Sequence, residues 1–139
     1  MTTLSSPAQM VSWDEDRSLK EVPRLTPAAV KMALPDLHLT ITSSYQMVYL
    51  PAGSGPGLEK EGSAVFIFTD RVDSTDEETP GSFMTQGKGM FMAATYRVEG
   101  TFEIIAGSGQ GKLGERFKEG KGSFASGEGG KVNYVFELK

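Results

Sequence analysis

The sequence predicts an all-β fold built from antiparallel strands, and three observations support this prediction. Two stretches near the C-terminus alternate apolar and polar residues, about eight segments have the composition and length of strands, and glycine, at 17 of 139 residues, recurs between these segments. Successive side chains of a strand point to opposite faces, so alternation indicates strands with one buried face and one face in water. Strands of this kind form a sandwich or a closed barrel.

Two alternating strands, at residues 96–104 and 132–138, carry the clearest signal. Their apolar residues share the face that we predict to point inward: Tyr96, Val98, Phe102 and Ile104 in the first strand, and Val132, Tyr134, Phe136 and Leu138 in the second. Glu99 and Glu103 fall on the outer face, although a register slip of one residue would turn both inward. The glycine-rich segment 107–111 between these strands is predicted to form turns or bulges.

The first third of the chain is predicted to begin with a disordered tail, residues 1–8, followed by a strand at 9–13. A polar loop with two prolines covers 17–27. Residues 28–34 have a helical composition, but prolines at both ends leave room for about two turns, and such short helices are marginal on their own. A strand is therefore preferred there, and a long strand at 37–50, bent near its middle, follows it.

The middle of the chain is predicted to hold strands separated by glycine-rich and acidic loops. The loop 51–57 precedes residues 63–69, a continuous apolar run that is buried on both faces or faces a partner subunit. An acidic, turn-rich segment covers 70–79. Two short strands, 81–86 and 90–94, follow with a glycine-containing turn between them.

Composition and charge argue against several classes of function. At 139 residues the length predicts one domain, and the absence of cysteine excludes disulfides and thiolate chemistry. The net charge of −4, with lysines interspersed among glutamates, argues against nucleic acid as a partner. No apolar run approaches the roughly 18 residues of a membrane helix, and the N-terminus lacks the basic and apolar parts of a secretory signal. We therefore predict a cytoplasmic protein that binds neither membranes nor nucleic acids.

The sequence predicts no cofactor and no metal site. The glycines at 107–111 are not followed by a helical pattern, which a phosphate-binding loop requires. His38 is the sole histidine, and one histidine cannot hold a metal ion without carboxylates at a suitable spacing. The acidic residues at 73–78 lack the spacing of a calcium loop, and no serine nucleophile elbow occurs.

Several motifs, in their order along the chain, resemble those of one family. They are Ser12-Trp13-Asp14-Glu15, SSYQMVYL at 43–50, the Asp70-Arg71 pair after an apolar strand, Gly81-Ser82-Phe83, and GKGSF at 120–124. From about residue 9 to 137 the chain resembles a small, mostly bacterial family of uncharacterised proteins whose fold is like that of allene oxide cyclase. The resemblance implies that residues 1–139 form a single eight-stranded antiparallel barrel of lipocalin-like shape. An eight-stranded barrel is filled by side chains or holds one small ligand.

Aromatic side chains on the faces predicted to point inward are the candidate ligand-binding residues. They are Tyr45, Tyr49, Phe66, Tyr96, Phe102 and Tyr134. Buried tyrosines need hydrogen-bond partners. These residues therefore form either a satisfied core or a lumen with convergent hydroxyl groups, which is how small-molecule pockets are lined.

Three functional hypotheses follow, and the sequence leaves the question of catalysis open. The preferred hypothesis is a barrel that binds a small apolar molecule. The second is a cyclase- or isomerase-type enzyme that uses the lumen, as the resemblance allows, with no catalytic residue predicted. The third is a filled barrel that acts through its surface as a homo-oligomer, either a dimer or a trimer, because residues 65–68 are apolar on both faces of their strand.

Overall fold

The protein forms one curled antiparallel β-sheet with one short helix. The structure is a computed structural model and describes residues 1–127 and 130–139. Its strands are β1 (Thr2–Pro7), β2 (Gln9–Glu15), β3 (Arg24–Leu34), β4 (Leu39–Tyr49), β5 (Ala64–Ser74), β6 (Gly81–Met92), β7 (Arg97–Ile104), β8 (Gly120–Ser126) and β9 (Val132–Leu138). The helix α1 (Gly111–Arg116) lies between β7 and β8, and a turn of 3-10 helix at Pro35–Leu37 joins β3 to β4. Within the described residues, no helix has the length and apolar character needed to cross a membrane.

The sheet curls because its two edge strands are joined directly in the chain. All nine strands pair with antiparallel neighbours in the order β1-β9-β8-β7-β6-β5-β4-β3-β2, so β1 and β2 form the two edges. Only Ala8 separates these edge strands in the chain, and its amide donates a 2.8 Å hydrogen bond to the carbonyl of Val132. Residues 2–15 therefore pair with β9 through their first half and with β3 through their second half. Two edges that meet in one short segment require a strongly curled sheet.

Every second residue of the long strands forms the inner face of the sheet. In β3, β4 and β5, buried residues alternate with more exposed ones, as expected for strands with one face on a core. Most of the buried residues are apolar, for example Met32, Ile41 and Phe68. Asp70 and Thr85 are polar exceptions that face each other across β5 and β6.

The helix α1 and the residue after it seal the end of the sheet where β7 stops. Phe117 stacks on Phe83 with ring centroids 4.5 Å apart and meets the ring of Phe136 edge-on at 5.4 Å. Leu113 of the helix is buried in the same core cluster. The backbone at the start of the helix also bridges to the start of β6. Apolar side chains therefore fill this end of the curled sheet.

Glycines on the inner face allow aromatic rings to lie across neighbouring strands. A Cβ atom on Gly89 would lie 2.7 Å from ring carbons of Phe66, closer than side chains approach one another. Gly100 has the same relation to the ring of Phe124. These glycines are needed for close packing rather than for a turn, which explains why residues 87–89 interrupt the sequence pattern of a continuous strand.

The observed strands confirm much of the predicted order. Residues 28–34 lie in β3, as preferred over a helix, and residues 37–50 and 132–138 correspond to β4 and β9. The inward face of β7 carries Phe102 and Ile104, as the alternation predicted. Regular alternation of apolar and polar residues is therefore a reliable local signal in this chain.

Several predictions of local structure were wrong. Residues 2–7 form β1 rather than part of a disordered tail, because their backbone pairs along β9. The two short strands predicted on either side of residue 88 are one strand, β6. Within residues 1–127 and 130–139 the sheet has nine strands, of which β1 and β2 are separated in the chain by Ala8 alone. The segment 107–111 leads into α1 rather than into further turns. Tyr96 lies in a turn with a φ of 52°, just before β7 begins at Arg97.

Candidate ligand-binding site

An open pocket of about 380 Å³, the lumen pocket, lies inside the curled sheet at the end opposite α1. Its walls come from strand ends that are remote from the helix, including Tyr49 at the end of β4, Ala64 at the start of β5 and Val132 at the start of β9. Most of the lining side chains are aromatic or aliphatic, and they include Trp13, Met47, Phe66, Val98 and Phe124. The curled sheet thus has one filled end and one open, apolar end.

Glu15 holds two aromatic side chains in place at the mouth of the lumen pocket. Its carboxylate accepts hydrogen bonds from the indole N–H of Trp13 at 2.8 Å and from the hydroxyl of Tyr49 at 3.1 Å. Arg17 lies 3.4 Å from the same carboxylate, and the guanidinium of Arg24 lies 4.1 Å above the ring of Tyr49. Burial, followed by the nearby charge of Glu15, raises the pKa of Tyr49. The polar groups of Trp13 and Tyr49 are therefore already hydrogen-bonded at the mouth.

A buried carboxylate, Asp70, lies deeper in the lumen than the pocket. Asp70 is two inward positions beyond Phe66 along β5, toward the end that α1 seals, and only 1% of its surface is exposed. Its carboxylate accepts hydrogen bonds from the hydroxyl of Ser43 and, at 3.0 Å, from the hydroxyl of Thr85. Both partners face Asp70 on the adjacent strands. Burial raises the pKa of Asp70 to about 6, because desolvation disfavours the charged form.

The sequence analysis missed Asp70 as an inward-facing residue and placed it at the start of an acidic turn. In the structure β5 continues through Asp70 to Ser74. The alternation of Phe66, Phe68, Asp70 and Val72 contained the signal, because all four share the buried face. Arg71, the next residue, points to the opposite face of β5, where it is exposed and pairs with the outward-facing carboxylate of Asp73.

Two buried tyrosines, Tyr45 and Tyr134, lie between the lumen pocket and Asp70. Both line the pocket, and they lie close enough for each to affect the pKa of the other. The hydroxyl of Tyr134 also donates to the sulfur of Met32 at 3.9 Å. Burial, followed by the charge of Asp70, raises the pKa of Tyr45; burial, followed by Tyr45, raises the pKa of Tyr134. Both phenols are therefore protonated at neutral pH and able to donate hydrogen bonds.

The other titratable residues considered in the sequence lie outside the lumen. His38 is exposed in the left-handed turn that follows Pro35–Leu37. Glu99 and Glu103 lie on the outer face of β7, in the register that was preferred. In residues 1–127 and 130–139, no group of three His, Cys, Asp or Glu side chains is placed to hold a metal ion.

A second concave surface, the outer groove, lies on the opposite face of the sheet and has a volume of about 890 Å³. Its lining includes outward-facing apolar residues of the four adjacent strands β3 to β6, namely Leu25, Val48, Val65, Ile67 and Met90. Cross-strand pairing aligns Leu25, Val48, Val65 and Met90 in one row. The groove is larger than the lumen pocket but lies on the outer surface, so a small molecule bound there would remain in contact with water.

Comparison with known proteins identifies the family of the chain. The model of a family of proteins of unknown function, DUF3224, matches residues 4–138. The protein belongs to the DUF3224 family. A crystal structure of a DUF3224 protein of unknown function from Shewanella oneidensis MR-1 is similar to it, with a TM-score of 0.67 and 19% sequence identity over 100% of this chain and 98% of the Shewanella chain. No curated protein matches the chain.

The DUF3224 assignment confirms one part of the predicted resemblance. The chain belongs to a family of proteins of unknown function, as the sequence motifs implied. At 19% identity the similarity to the Shewanella protein shows the fold alone, and this fold is an all-β curled sheet. The specific likeness to allene oxide cyclase stays a prediction.

In the structure of this DUF3224 protein, most of the residues predicted to bind a ligand lie together. Those that line the lumen pocket are Tyr45, Tyr49, Phe66, Tyr96 and Tyr134. Phe102 lies deeper, with its ring centroid 5.2 Å from that of Phe136, because Val98 is the residue of β7 at the level of the pocket. Tyr96 is 76% exposed and reaches the mouth from a turn. The ligand-binding role of these residues stays a prediction.

Proposed function

We propose that this DUF3224 protein binds a small apolar molecule in the lumen pocket. The supporting observation is the contrast between the two ends of the curled sheet. The region around α1 and Phe117 is filled by side chains, whereas the other end holds a space of about 380 Å³ lined by aromatic residues. Ligand pockets have volumes of roughly 300–1,000 Å³ and mostly apolar walls with a few polar groups. The pocket suits a ligand the size of a two-ring aromatic molecule.

We also infer that the sheet closes into a barrel of the lipocalin-like, allene-oxide-cyclase-like shape. The strands β1 and β2, joined through Ala8, act as one bent strand between β9 and β3. Counted in this way, eight strands surround the lumen. An interior of that size accommodates a single small ligand, and closure would give the lumen pocket a continuous wall.

Binding is preferred over a cyclase or isomerase activity because Asp70 does not line the lumen pocket. A general base must reach the proton that it removes directly or through one water molecule. Tyr45 and Tyr134 lie between Asp70 and the pocket, so a ligand would contact this carboxylate only through them. This arrangement favours holding a molecule over transforming it.

Filling the lumen pocket from one strand is expected to prevent an apolar probe from binding. Val98 and Glu99 are neighbours on β7, and they line the lumen pocket and the outer groove respectively. The Val98→Trp substitution should weaken binding of the neutral fluorophore N-phenyl-1-naphthylamine roughly tenfold or more, which corresponds to about 1.4 kcal/mol. The indole ring would occupy the space that the probe needs. Fluorescence titration of the probe measures the Kd.

The Glu99→Trp variant is the matched control, because it adds the same side chain to the outer face of the same strand. It should leave the Kd of the probe unchanged to within about twofold. Loss of binding in Glu99→Trp but not in Val98→Trp would assign the probe to the outer groove. Absence of binding to the wild-type protein would contradict the proposed function.

The outer groove favours self-association as a second function, in which another copy of this chain covers the groove. Ile67 is 62% exposed and Leu25 is 50% exposed, and contiguous apolar surface of this kind marks interaction sites. Lys88 and Glu99 also line the groove. In a two-fold symmetric contact the same patch meets itself in the opposite orientation, so charges of both signs beside an apolar centre are self-complementary.

The Ile67→Asp substitution is expected to convert a homo-oligomer into a monomer. The carboxylate would be buried against the apolar row of the second copy, whereas in the monomer it would face water and change the stability by no more than about 0.5 kcal/mol. Native mass spectrometry at micromolar concentration gives the oligomeric mass, and Ile67→Leu serves as the apolar control. A monomeric wild-type protein would contradict this second proposal.

A further inference from the structure

We propose that the ligand of the lumen pocket carries an uncharged hydrogen-bond acceptor, such as a ketone, aldehyde or ester oxygen, and that the hydroxyl groups of Tyr134 and Tyr45 bind this oxygen at the floor of the pocket. This inference rests on the proposed function and adds the chemical class of the ligand. It follows from the partners of the polar groups that line the pocket.

The polar groups of Trp13 and Tyr49 at the mouth are already paired within the protein. The indole N–H of Trp13 and the hydroxyl of Tyr49 both donate to Glu15, at 2.8 and 3.1 Å. At the same end of the sheet, the hydroxyl oxygen of Ser126 accepts a 3.0 Å hydrogen bond from the backbone N–H of Val98. Recruitment of Trp13 or Tyr49 by a ligand would break an existing bond to a carboxylate, and hydrogen bonds to charged groups are the stronger ones.

The hydroxyl of Tyr134, at the floor of the pocket, has a weaker partner. The hydroxyl of Tyr134 donates to the thioether sulfur of Met32 at 3.9 Å, and a thioether is a weak acceptor. Tyr45 lines the same pocket and lies close enough to Tyr134 for the two phenols to affect each other's pKa, so they share one region of the floor. A carbonyl oxygen that reached this region would be a better acceptor than the sulfur. The Tyr134 hydroxyl can therefore donate to a ligand without losing a strong bond.

The buried carboxylate behind the tyrosines selects against an anionic ligand. Asp70 lies close enough to Tyr45 and Tyr134 to disfavour negative charge on either phenol. The same field would act on a ligand carboxylate or phenolate placed at the floor, because like charges repel strongly in a region of low dielectric. The walls offer no charged partner at this depth among the described lining residues. A neutral acceptor can take a hydrogen bond from Tyr134 and is not repelled by the charge of Asp70.

A matched pair of fluorescent probes tests this inference. The first, 6-propionyl-2-(dimethylamino)naphthalene, carries a ketone, and the second, 6-propyl-2-(dimethylamino)naphthalene, differs only in lacking the carbonyl oxygen. Removal of the Tyr134 hydroxyl in Tyr134→Phe should reduce the preference for the ketone over the hydrocarbon roughly 3- to 10-fold, as expected for the loss of one hydrogen bond. In Tyr134→Phe the emission of the bound ketone should also lie at shorter wavelength than in the wild type, because a hydrogen bond to the carbonyl lowers the emission energy and the variant has lost this bond.

Thr42→Val is the control, since it removes a hydroxyl group from the exposed outer face of β4, outside the lumen pocket, and should change neither the preference nor the emission. If Tyr134→Phe does not fold, Tyr45→Phe removes the other hydroxyl of the pair and provides the same comparison. If Tyr134→Phe prefers the ketone over the hydrocarbon by the same factor as the wild type, the acceptor assignment is overturned, while the lumen pocket stands as a binding site. Failure of both probes to bind the wild-type protein would instead overturn the proposed function.

Discussion

Replacement of Phe117 with alanine is expected to lower the free energy of unfolding by about 3–5 kcal/mol. Phe117 is 1% exposed, and it stacks on Phe83 at 4.5 Å and meets Phe136 edge-on at 5.4 Å. Alanine would lose the apolar burial of the ring and leave a cavity between α1 and the sheet. Urea denaturation followed by circular dichroism at pH 7 measures the change.

Tyr96→Ala is the matched control for this prediction, because it removes an aromatic ring that is 76% exposed. Its expected effect lies within about 0.5 kcal/mol, as for most surface substitutions. A loss of less than about 1 kcal/mol in Phe117→Ala would show that the ring contributes little to sealing this end. The filled end and the open end of the sheet would then differ less than their packing implies.

The Asp70→Asn substitution is expected to raise the free energy of unfolding at pH 8 by on the order of 2–3 kcal/mol. In the folded protein the pKa of Asp70 is raised from 3.8 to about 6 by burial, so at pH 8 a charge is held in a desolvated site. Asparagine is uncharged and of similar shape. Its carbonyl can accept from Ser43, and its amide can donate to the hydroxyl of Thr85, so the buried hydroxyls keep partners.

The pH dependence of this effect has a definite sign. Between about pH 4 and 6 the folded state holds the Asp70 proton more tightly than the unfolded state, so the Asp70 contribution to stability falls as the pH rises through this window. Well below the unfolded-state pKa of 3.8 the carboxyl is protonated in both states, so the difference between the two proteins should be small at pH 3.5. Denaturation curves at pH 3.5, 5, 6 and 8 test this, with the exposed Asp14→Asn as control. A difference that does not grow from pH 4 to 6 would contradict the assigned pKa.

The sequence predicted the strands whose side chains alternate regularly, because that pattern is local. The inward positions of β7 and β9, including Phe102, Tyr134 and Phe136, follow from a period of two alone. The strand β1 escaped prediction because residues 2–7 have little apolar alternation and are held by pairing with β9, far along the chain. The continuity of β6 was not predicted because residues 87–89 have the composition of a turn, whereas Gly89 leaves space for the ring of Phe66 and Gly87 allows a close approach of β7.

The candidate site was predictable to the extent that it depends on strand faces. Tyr45, Phe66 and Tyr134 line one pocket because inward residues of a curled sheet converge. Asp70 was assigned to a turn because a carboxylate beside other acidic residues is usually solvated, and its two hydroxyl partners come from other strands. The depth of Phe102 in the lumen could not be predicted from the sequence either, because it depends on the stagger between neighbouring strands rather than on the alternation of side chains.

The position of Ala8 between the two edge strands has a consequence for how the chain acquires its structure. Thr2 pairs opposite Leu138, so β1 has no partner until β9 has been synthesised. Until then the edge of β8 that β9 will cover is also unpaired. Until then β1 and the partly formed sheet present unpaired backbone, which is the state in which sheets associate with other chains. Folding dominated by such distant pairings is slow. During synthesis, the interval before β9 emerges is therefore when this protein is most exposed to aggregation.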